Sequence, residues 1–291
     1  MPYPLRNRLL LSQRVLTDFT YRVSVTAGQT TTPKWTFVAG APPAYTDWGD
    51  GTARDLVTSG VEQTHAYTNA GEYTVTLVMA NQAKWLSQVD INSDKVVQVV
   101  TPVNIFKAID YFRTYANASL NQNISNWILP TGLITINVNT CPLLTGNISG
   151  WILPSSIINL FLYSSFLTGN VSGWILPATL FDFRVYTTNI SGDISGWVVP
   201  AMLGNFYIHG TGLSGCPNLS IMIAITGILV QGCALPQVTV DLYLSRCVAR
   251  EAATTYPTPT LNLGGTNAAP SAAGLLNAAT LTGLGWIVTV T

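Results

Sequence analysis

Charged side chains are scarce in this 291-residue sequence, where they make up 9% of the chain, against about 25% in an ordinary soluble domain. The 13 basic and 13 acidic residues cancel, and no basic block is present. The sequence therefore predicts no basic surface that could neutralise the phosphates of a nucleic acid, which argues against nucleic-acid binding. The apolar runs are far shorter than the roughly 20 residues that cross a bilayer. We expect neither nucleic acid nor a membrane as a partner.

A recognisable secretion signal and a cysteine framework are also missing. Arg6 and Arg8 are followed by only three leucines, whereas a signal needs an apolar core of about 7 to 15 residues. Residues 1–20 carry both charge and apolar surface, and we expect this N-terminal arm to dock on a neighbouring subunit. The four cysteines show neither CxxC nor metal-finger spacing. We expect small buried side chains, with a Cys233–Cys247 disulfide as the alternative.

The motifs of the common enzyme classes do not occur either. There is no HExxH, no P-loop, no EF-hand loop and no GxGxxG that opens a helix. The two histidines, His65 and His209, lie far apart in the sequence and have no positioned partner in any catalytic pattern. We therefore expect no enzymatic activity, no cofactor and no metal site.

Residues 21–104 show short alternating segments separated by turns, which predict a small antiparallel sandwich. Within them, "YTDWGDGT" (45–52) is followed by "THAYTNAGEYTVTL" (64–77). These motifs resemble the polycystic-kidney-disease (PKD) type of immunoglobulin-like domain. The resemblance implies that the Asp50-Gly51 turn and Trp48 are structural. A calcium site at Asp47, Asp50 and Asp55 is the alternative, although turn aspartates usually bond their own backbone.

Residues 105–215 contain an internal repeat. Four tryptophans at 127, 151, 174 and 197 are spaced by 24, 23 and 23 residues, within copies of "NISGWILP". A fixed period of this length is typical of a solenoid, in which each coil buries its apolar side against its neighbours. Flanking Ile, Val and Pro residues favour a core role for each Trp; an exposed aromatic ladder for sugars is the alternative.

Between the tryptophans the repeat carries an LxxLxL frame, for example Ile157-x-x-Leu160-x-Leu162. This frame resembles the leucine-rich repeat, especially its LxGxIP subtype, but departs from it by the insertion of SGWIL before Pro. The 23-residue frame predicts a right-handed solenoid from about residue 105, with parallel strands that include residues 136–138, 160–162, 183–185 and 206–208.

Residues 216–291 are less regular and predict irregular coils, a helix over 240–253, a second helix over 271–280 and a last strand. "LNLGGTNAAPS" followed by "LTGLGWIVTV" resembles the C-terminal cap of leucine-rich-repeat proteins of tailed bacteriophages. The predicted fold is mainly β: an immunoglobulin-like sandwich followed by a leucine-rich-repeat-like β solenoid with short helices near the C-terminus.

The residues between the core positions of each LxxLxL strand point away from the core. They are rich in tyrosine and arginine, which suit hydrogen bonding to and stacking on a sugar or peptide. The candidate ligand-binding residues are Arg113, Tyr115, Tyr163, Arg184, Tyr186, Tyr207 and His209. The alternative is that they are β-forming residues on a solvated sheet or on one covered by another subunit.

Together these features favour a non-enzymatic virion protein of a bacteriophage, a decoration or appendage of the capsid or tail. It would form a homo-oligomer, contact other virion subunits and display a repeat surface to a host glycan or surface protein. A leucine-rich-repeat adhesin of the bacterial cell surface is the alternative.

Overall fold

The computed structural model describes residues 18–80, 82–101, 107–251 and 259–290. In these ranges the protein is mainly β, with three helices. Most of the N-terminal arm, residues 1–17, lies outside the described residues. Within the described part, no helix has the length and apolar character that a membrane crossing needs.

The first part of the chain forms a sandwich of antiparallel strands. Its elements are β1 (Thr20–Val25), β2 (Thr30–Thr31), β3 (Lys34–Phe37), β4 (Ala44–Asp47), β5 (Asp55–Leu56), β6 (His65–Ala66), β7 (Gly71–Met79), α1 (Gln82–Trp85), β8 (Leu86–Asp90) and β9 (Val96–Val99). One sheet has the order β5-β4-β7-β1-β9, and β3 pairs with β8. Trp35 on β3 packs against Phe19 and Tyr21, with ring centroids 5.6 and 6.1 Å apart.

The repeat region adds successive short strands to two parallel sheets. The strands are β10 (Tyr111–Arg113), β11 (Thr135–Asn137), β12 (Cys141–Asn147), β13 (Asn159–Phe161), β14 (Ser165–Asn170), β15 (Asp182–Arg184), β16 (Asn189–Asp193), β17 (Asn205–Tyr207), β18 (Gly212–Ser214) and β19 (Gly227–Leu229). The smaller of the two sheets has four strands in the order β12-β14-β16-β18.

The C-terminal part closes the stack with α2 (Gln237–Glu251), β20 (Thr260–Asn262), α3 (Ala272–Gly283) and β21 (Ile287–Thr289). Both helices lie close to where the sequence predicts them. β20 and β21 continue the larger parallel sheet beyond β19. The last strands of the repeat are therefore not left as an open edge at β19.

The larger sheet has ten strands in the order β21-β20-β19-β17-β15-β13-β11-β10-β8-β3. Ile136, Leu160, Phe183 and Phe206 pair in parallel register from strand to strand and are at most 1% exposed. These are middle positions of the LxxLxL frame. The four predicted segments thus lie side by side and parallel, each beginning one residue after the start of its strand.

The sandwich and the repeat share this sheet. Strand β8 pairs antiparallel with β3 and parallel with β10, where Val89 lies opposite Phe112. Hydrogen bonding therefore crosses the predicted boundary between residues 104 and 105. The sequence patterns of the two regions differ, so nothing in them indicates that one sheet runs through both.

The tryptophans of the repeat belong to the core. Trp151, Trp174 and Trp197 are only 4–6% exposed, which rules out the exposed aromatic ladder at these positions. All four cysteines are buried and free, so the alternative Cys233–Cys247 disulfide is wrong. The residue that follows each Trp is not a core residue, contrary to expectation, because burial alternates here: Trp151 and Leu153 are buried, and Ile152 between them is exposed.

Asparagine side chains hold the turns that follow strands β12 and β14. The side chain of Asn147 accepts hydrogen bonds from the backbone N–H and the hydroxyl of Ser149, at 3.0 and 2.7 Å, and Asn170 does the same with Ser172. Gly169 of the following coil lies directly against the Asn147 turn. The repeated Asn-x-Ser sequences are therefore turn elements.

Candidate functional site

The predicted ligand-binding residues all lie on one surface, the outward side of the ten-stranded sheet, which we call the strand face. In strands β10, β11, β13, β15 and β17 the middle residue is buried, and the two flanking residues point to this face. The second residue beyond each strand lies there as well. The strand face includes Arg113, Tyr115, Phe161, Tyr163, Asp182, Arg184, Tyr186, Tyr207 and His209.

Arg184 is held from several sides. Its Nε and Nη2 donate to the two carboxylate oxygens of Asp182 at 2.7 and 2.8 Å, a bidentate geometry that fixes the guanidinium plane. The guanidinium lies 5.3 Å from the ring centre of Phe161 and 5.1 Å from that of Tyr207, one on each neighbouring strand. The hydrogen bonds to Asp182 raise the pKa of Arg184. The arginine is therefore charged and already ordered before any ligand arrives.

Asp182 anchors this arrangement, and sequence reasoning missed it. Its side chain is 10% exposed, and its Oδ2 also accepts from Nδ2 of Asn205 at 3.0 Å. Its signal was its position two residues before Arg184, which places both side chains on the same face of a strand.

Tyr163, Tyr186 and His209 form a column of stacked rings. The ring centres of Tyr163 and Tyr186 are 4.3 Å apart at an interplanar angle of 12°, and those of Tyr186 and His209 are 4.2 Å apart at 13°. Because the rings cover one another, the inner ring faces are not free to stack on a sugar. The column offers its partly exposed edges instead, which carry two hydroxyls and an imidazole.

Tyr186 and His209 in this column carry no charge at neutral pH. Burial raises the pKa of Tyr186 to about 12, to which Tyr163 contributes. Burial lowers the pKa of His209, and its Nδ1 has no hydrogen-bond partner among the described residues. The charges on this part of the strand face therefore come from the Arg184–Asp182 pair.

A second group lies where the sandwich meets the repeat. Arg113 pairs with Asp90 on β8, and its guanidinium lies 5.0 Å from the ring centre of Tyr115 and 5.9 Å from that of Tyr111. A recess of about 220 Å³ opens here, lined by Lys34, Thr36, Gln88, Asp90, Tyr111 and Arg113. Sequence reasoning missed the members from β3 and β8 because it assigned those strands to a separate domain.

The aspartates of the alternative calcium site are used by the sandwich itself. Asp50 accepts hydrogen bonds from Thr52 and contacts Nε2 of His65 at 2.8 Å. Burial would raise the pKa of Asp50, but these hydrogen bonds lower it overall. Asp47 accepts from the backbone of Gly49 at 3.1 Å. Among the described residues, no group of three or more His, Cys, Asp or Glu side chains is placed to hold a metal.

The third of these aspartates supports the core of the sandwich. Asp55 accepts from Nε1 of Trp48 at 2.7 Å. The Trp48 ring stacks on His65, with centroids 4.5 Å apart, and His65 meets Tyr67 edge to face at 4.7 Å. The WGDGT and HxY motifs thus form one packed unit.

Residues 16–92 match the PKD domain family. The match covers the motifs on which the resemblance rested and ends near β8, the strand that continues into the repeat. Among curated proteins and solved structures, no match was found for this chain. This part of the fold is thus a PKD domain.

Proposed function

We propose that this protein is a non-enzymatic recognition protein, in which the PKD domain and a leucine-rich-repeat-like solenoid present the strand face to a glycan or protein on a host cell. The observation that carries the proposal is Arg184, held by Asp182 between two aromatic rings. Ordering an arginine costs conformational entropy. Because Arg184 is already ordered in the free protein, its binding to a partner loses less conformational entropy, which raises affinity.

The chemistry of this surface suits sugar hydroxyls. Arg184 has donors on Nη1 beyond those that Asp182 uses, and the ring column beside it carries the hydroxyls of Tyr163 and Tyr186. Hydrogen bonds of this kind contribute about 1 kcal/mol each. A single site would therefore bind weakly, and many copies on one particle would supply avidity.

The bacteriophage virion is the setting that we propose for this display. The support is the resemblance of the C-terminal segment to the cap of phage leucine-rich-repeat proteins, together with the fold of the cap as α2, β20, α3 and β21. The same strand face would equally serve an adhesin on a bacterial surface. Immunogold labelling of phage particles and of host envelopes separates these two settings.

Removal of the two hydroxyls tests the binding role without disturbing the stacked rings. We expect the Tyr163→Phe/Tyr186→Phe variant to keep its melting temperature but to lose at least about tenfold in binding to host cells and to arrays of bacterial surface glycans. Tyr45→Phe is the matched control, because Tyr45 is 41% exposed on the PKD domain. Binding by the double variant at the level of wild type, or no binding by wild type, would refute the proposal.

The N-terminal arm would connect each copy to a neighbouring subunit. The deletion covers residues 1–17, so that Phe19, which is fully buried, and β1, which begins at Thr20, are both kept. We expect that deletion to reduce incorporation into the assembled particle while cell binding by the free protein is retained. Unchanged incorporation would show that the arm has no docking role.

A further inference from the structure

One side of the repeat exposes a regular series of large aliphatic side chains. Ile128, Ile152, Ile175 and Val198 are 66, 86, 86 and 78% exposed. Each follows the repeat tryptophan directly, so the four share one position in successive coils. We call this series the aliphatic row. It leaves about three whole aliphatic side chains in water, grouped rather than scattered over the surface.

The fold does not require an aliphatic residue at this position. Trp151 and Leu153 point inward at 5 and 8% exposure, and Ile152 between them points out. A polar residue would fit there equally well. In the most diverged copy, "DISGWVVP" (193–200), the outward residue has changed to Val198 but has stayed aliphatic. This position is thus apolar for a reason outside its own coil.

Grooves separate the first three members of the row. A groove of about 470 Å³ lies between the segments that carry Ile128 and Ile152, and one of about 310 Å³ lies between those of Ile152 and Ile175. The walls include Trp127, Trp151 and Trp174. Along the first three coils, ridges and grooves therefore alternate at the spacing of the coils.

Charge is absent from this part of the chain. Residues 114–181 contain no Asp, Glu, Lys or Arg, so no charge from these residues flanks the first three members of the row. A charged partner or an anionic membrane would find no complementary charge in these coils. A second copy of the same surface brings no charge either, and like-charge repulsion does not oppose its approach.

We propose that the aliphatic row is the surface through which a second copy of this chain docks. The ridges of one copy have the same spacing as the grooves of the other, because both are set by the distance between coils. The apolar side chains of the two copies can then interdigitate as the inner faces of two packed sheets do. Most soluble homo-oligomers use such self-complementary patches. The inference concerns assembly and does not depend on what the strand face binds.

Two substitutions within the row test this by sedimentation velocity over a wide range of concentration. We expect wild type to form a dimer or larger species, and Ile152→Asp/Ile175→Asp to associate at least about 100-fold more weakly, since each carboxylate would be desolvated without a partner. Val238→Asp is the matched control: Val238 is 73% exposed in the first turn of α2, outside the row. It should associate as wild type does.

The outcomes that overturn the proposal are equally defined. A wild-type chain that stays monomeric, a double variant that still associates, or a control that dissociates as the double variant does would each refute it. Circular dichroism checks folding, and Ile152→Ser/Ile175→Ser replaces the aspartate pair if that pair fails to fold. If monomeric wild type floats with neutral phosphatidylcholine vesicles and the double variant does not, the row faces lipid and the proposal is wrong.

Discussion

Gly169 is the position at which one added methyl group should disturb the repeat most clearly. It lies in β14 with a φ of +131°, a conformation that residues with a side chain rarely adopt. A Cβ at this position would lie 2.7 Å from Oδ1 of Asn147 and 2.8 Å from the backbone nitrogen of Ser149. Both atoms belong to the turn of the preceding coil, so Gly169→Ala would force two coils apart.

The expected loss of stability follows from two costs. The backbone strain of a non-glycine residue at such a φ is about 1 to 3 kcal/mol. Displacement of Asn147 weakens the two exposed hydrogen bonds that its side chain accepts from Ser149, which are worth about 1 kcal/mol each. We therefore expect Gly169→Ala to lower the free energy of unfolding by about 2 to 5 kcal/mol.

Gly173 in the same coil provides the control. A Cβ there meets nothing within 4 Å, and its φ is not in the positive range. Gly173→Ala should leave stability unchanged or raise it by up to about 1 kcal/mol, because alanine restricts the unfolded chain. Urea unfolding followed by circular dichroism compares the two variants. Equal transition midpoints would refute the argument that close contact between coils requires glycine at 169.

Three further predictions concern strain, pH and thiols. Thr187 is exposed and has a φ of +53°, so Thr187→Gly should raise stability by up to about 1 kcal/mol in urea unfolding. Burial lowers the pKa of His209 in the folded protein, so the unfolded chain binds a proton at this residue more readily. The melting temperature should therefore fall as the pH drops below about 6.5, and His209→Gln should weaken this pH dependence. Burial raises the pKa of the Cys247 thiol, and all four cysteines are buried, so Ellman's reagent should react only after unfolding.

The parallel strands of the repeat could be predicted because their pattern is strict. Leu160, Phe183 and Phe206 recur every 23 residues. A single coil cannot bury this apolar position by itself, so neighbouring coils have to stack on one another. The PKD motifs were equally informative, since Trp48, His65 and Tyr67 contact one another directly. In both regions the structure could be predicted from short sequence motifs, because the residues of these motifs contact one another in the fold.

The features that escaped prediction depend on contacts between segments with different patterns. Strand β8 joins the two regions because Val89 lies opposite Phe112, and neither alternation nor the 23-residue period says which strand begins a parallel stack. The exposure of Ile152 was missed for a related reason: "WILP" contains three apolar residues and a proline, and composition alone does not tell which of them points outward. The stacked column of Tyr163, Tyr186 and His209 required the register between coils.

The strand face and the aliphatic row differ in how regularly their side chains recur from coil to coil. On the aliphatic row every coil presents the same kind of side chain, whereas the third strand position of the strand face changes from Asn137 to Phe161, Arg184 and Tyr207. A periodic surface fits best a partner with the same period, and another copy of this chain has that period. A surface whose members differ can distinguish one ligand from another, because each coil contributes a different group. The division between periodic and varied positions thus supports assembly on one side of the coil and recognition on the other.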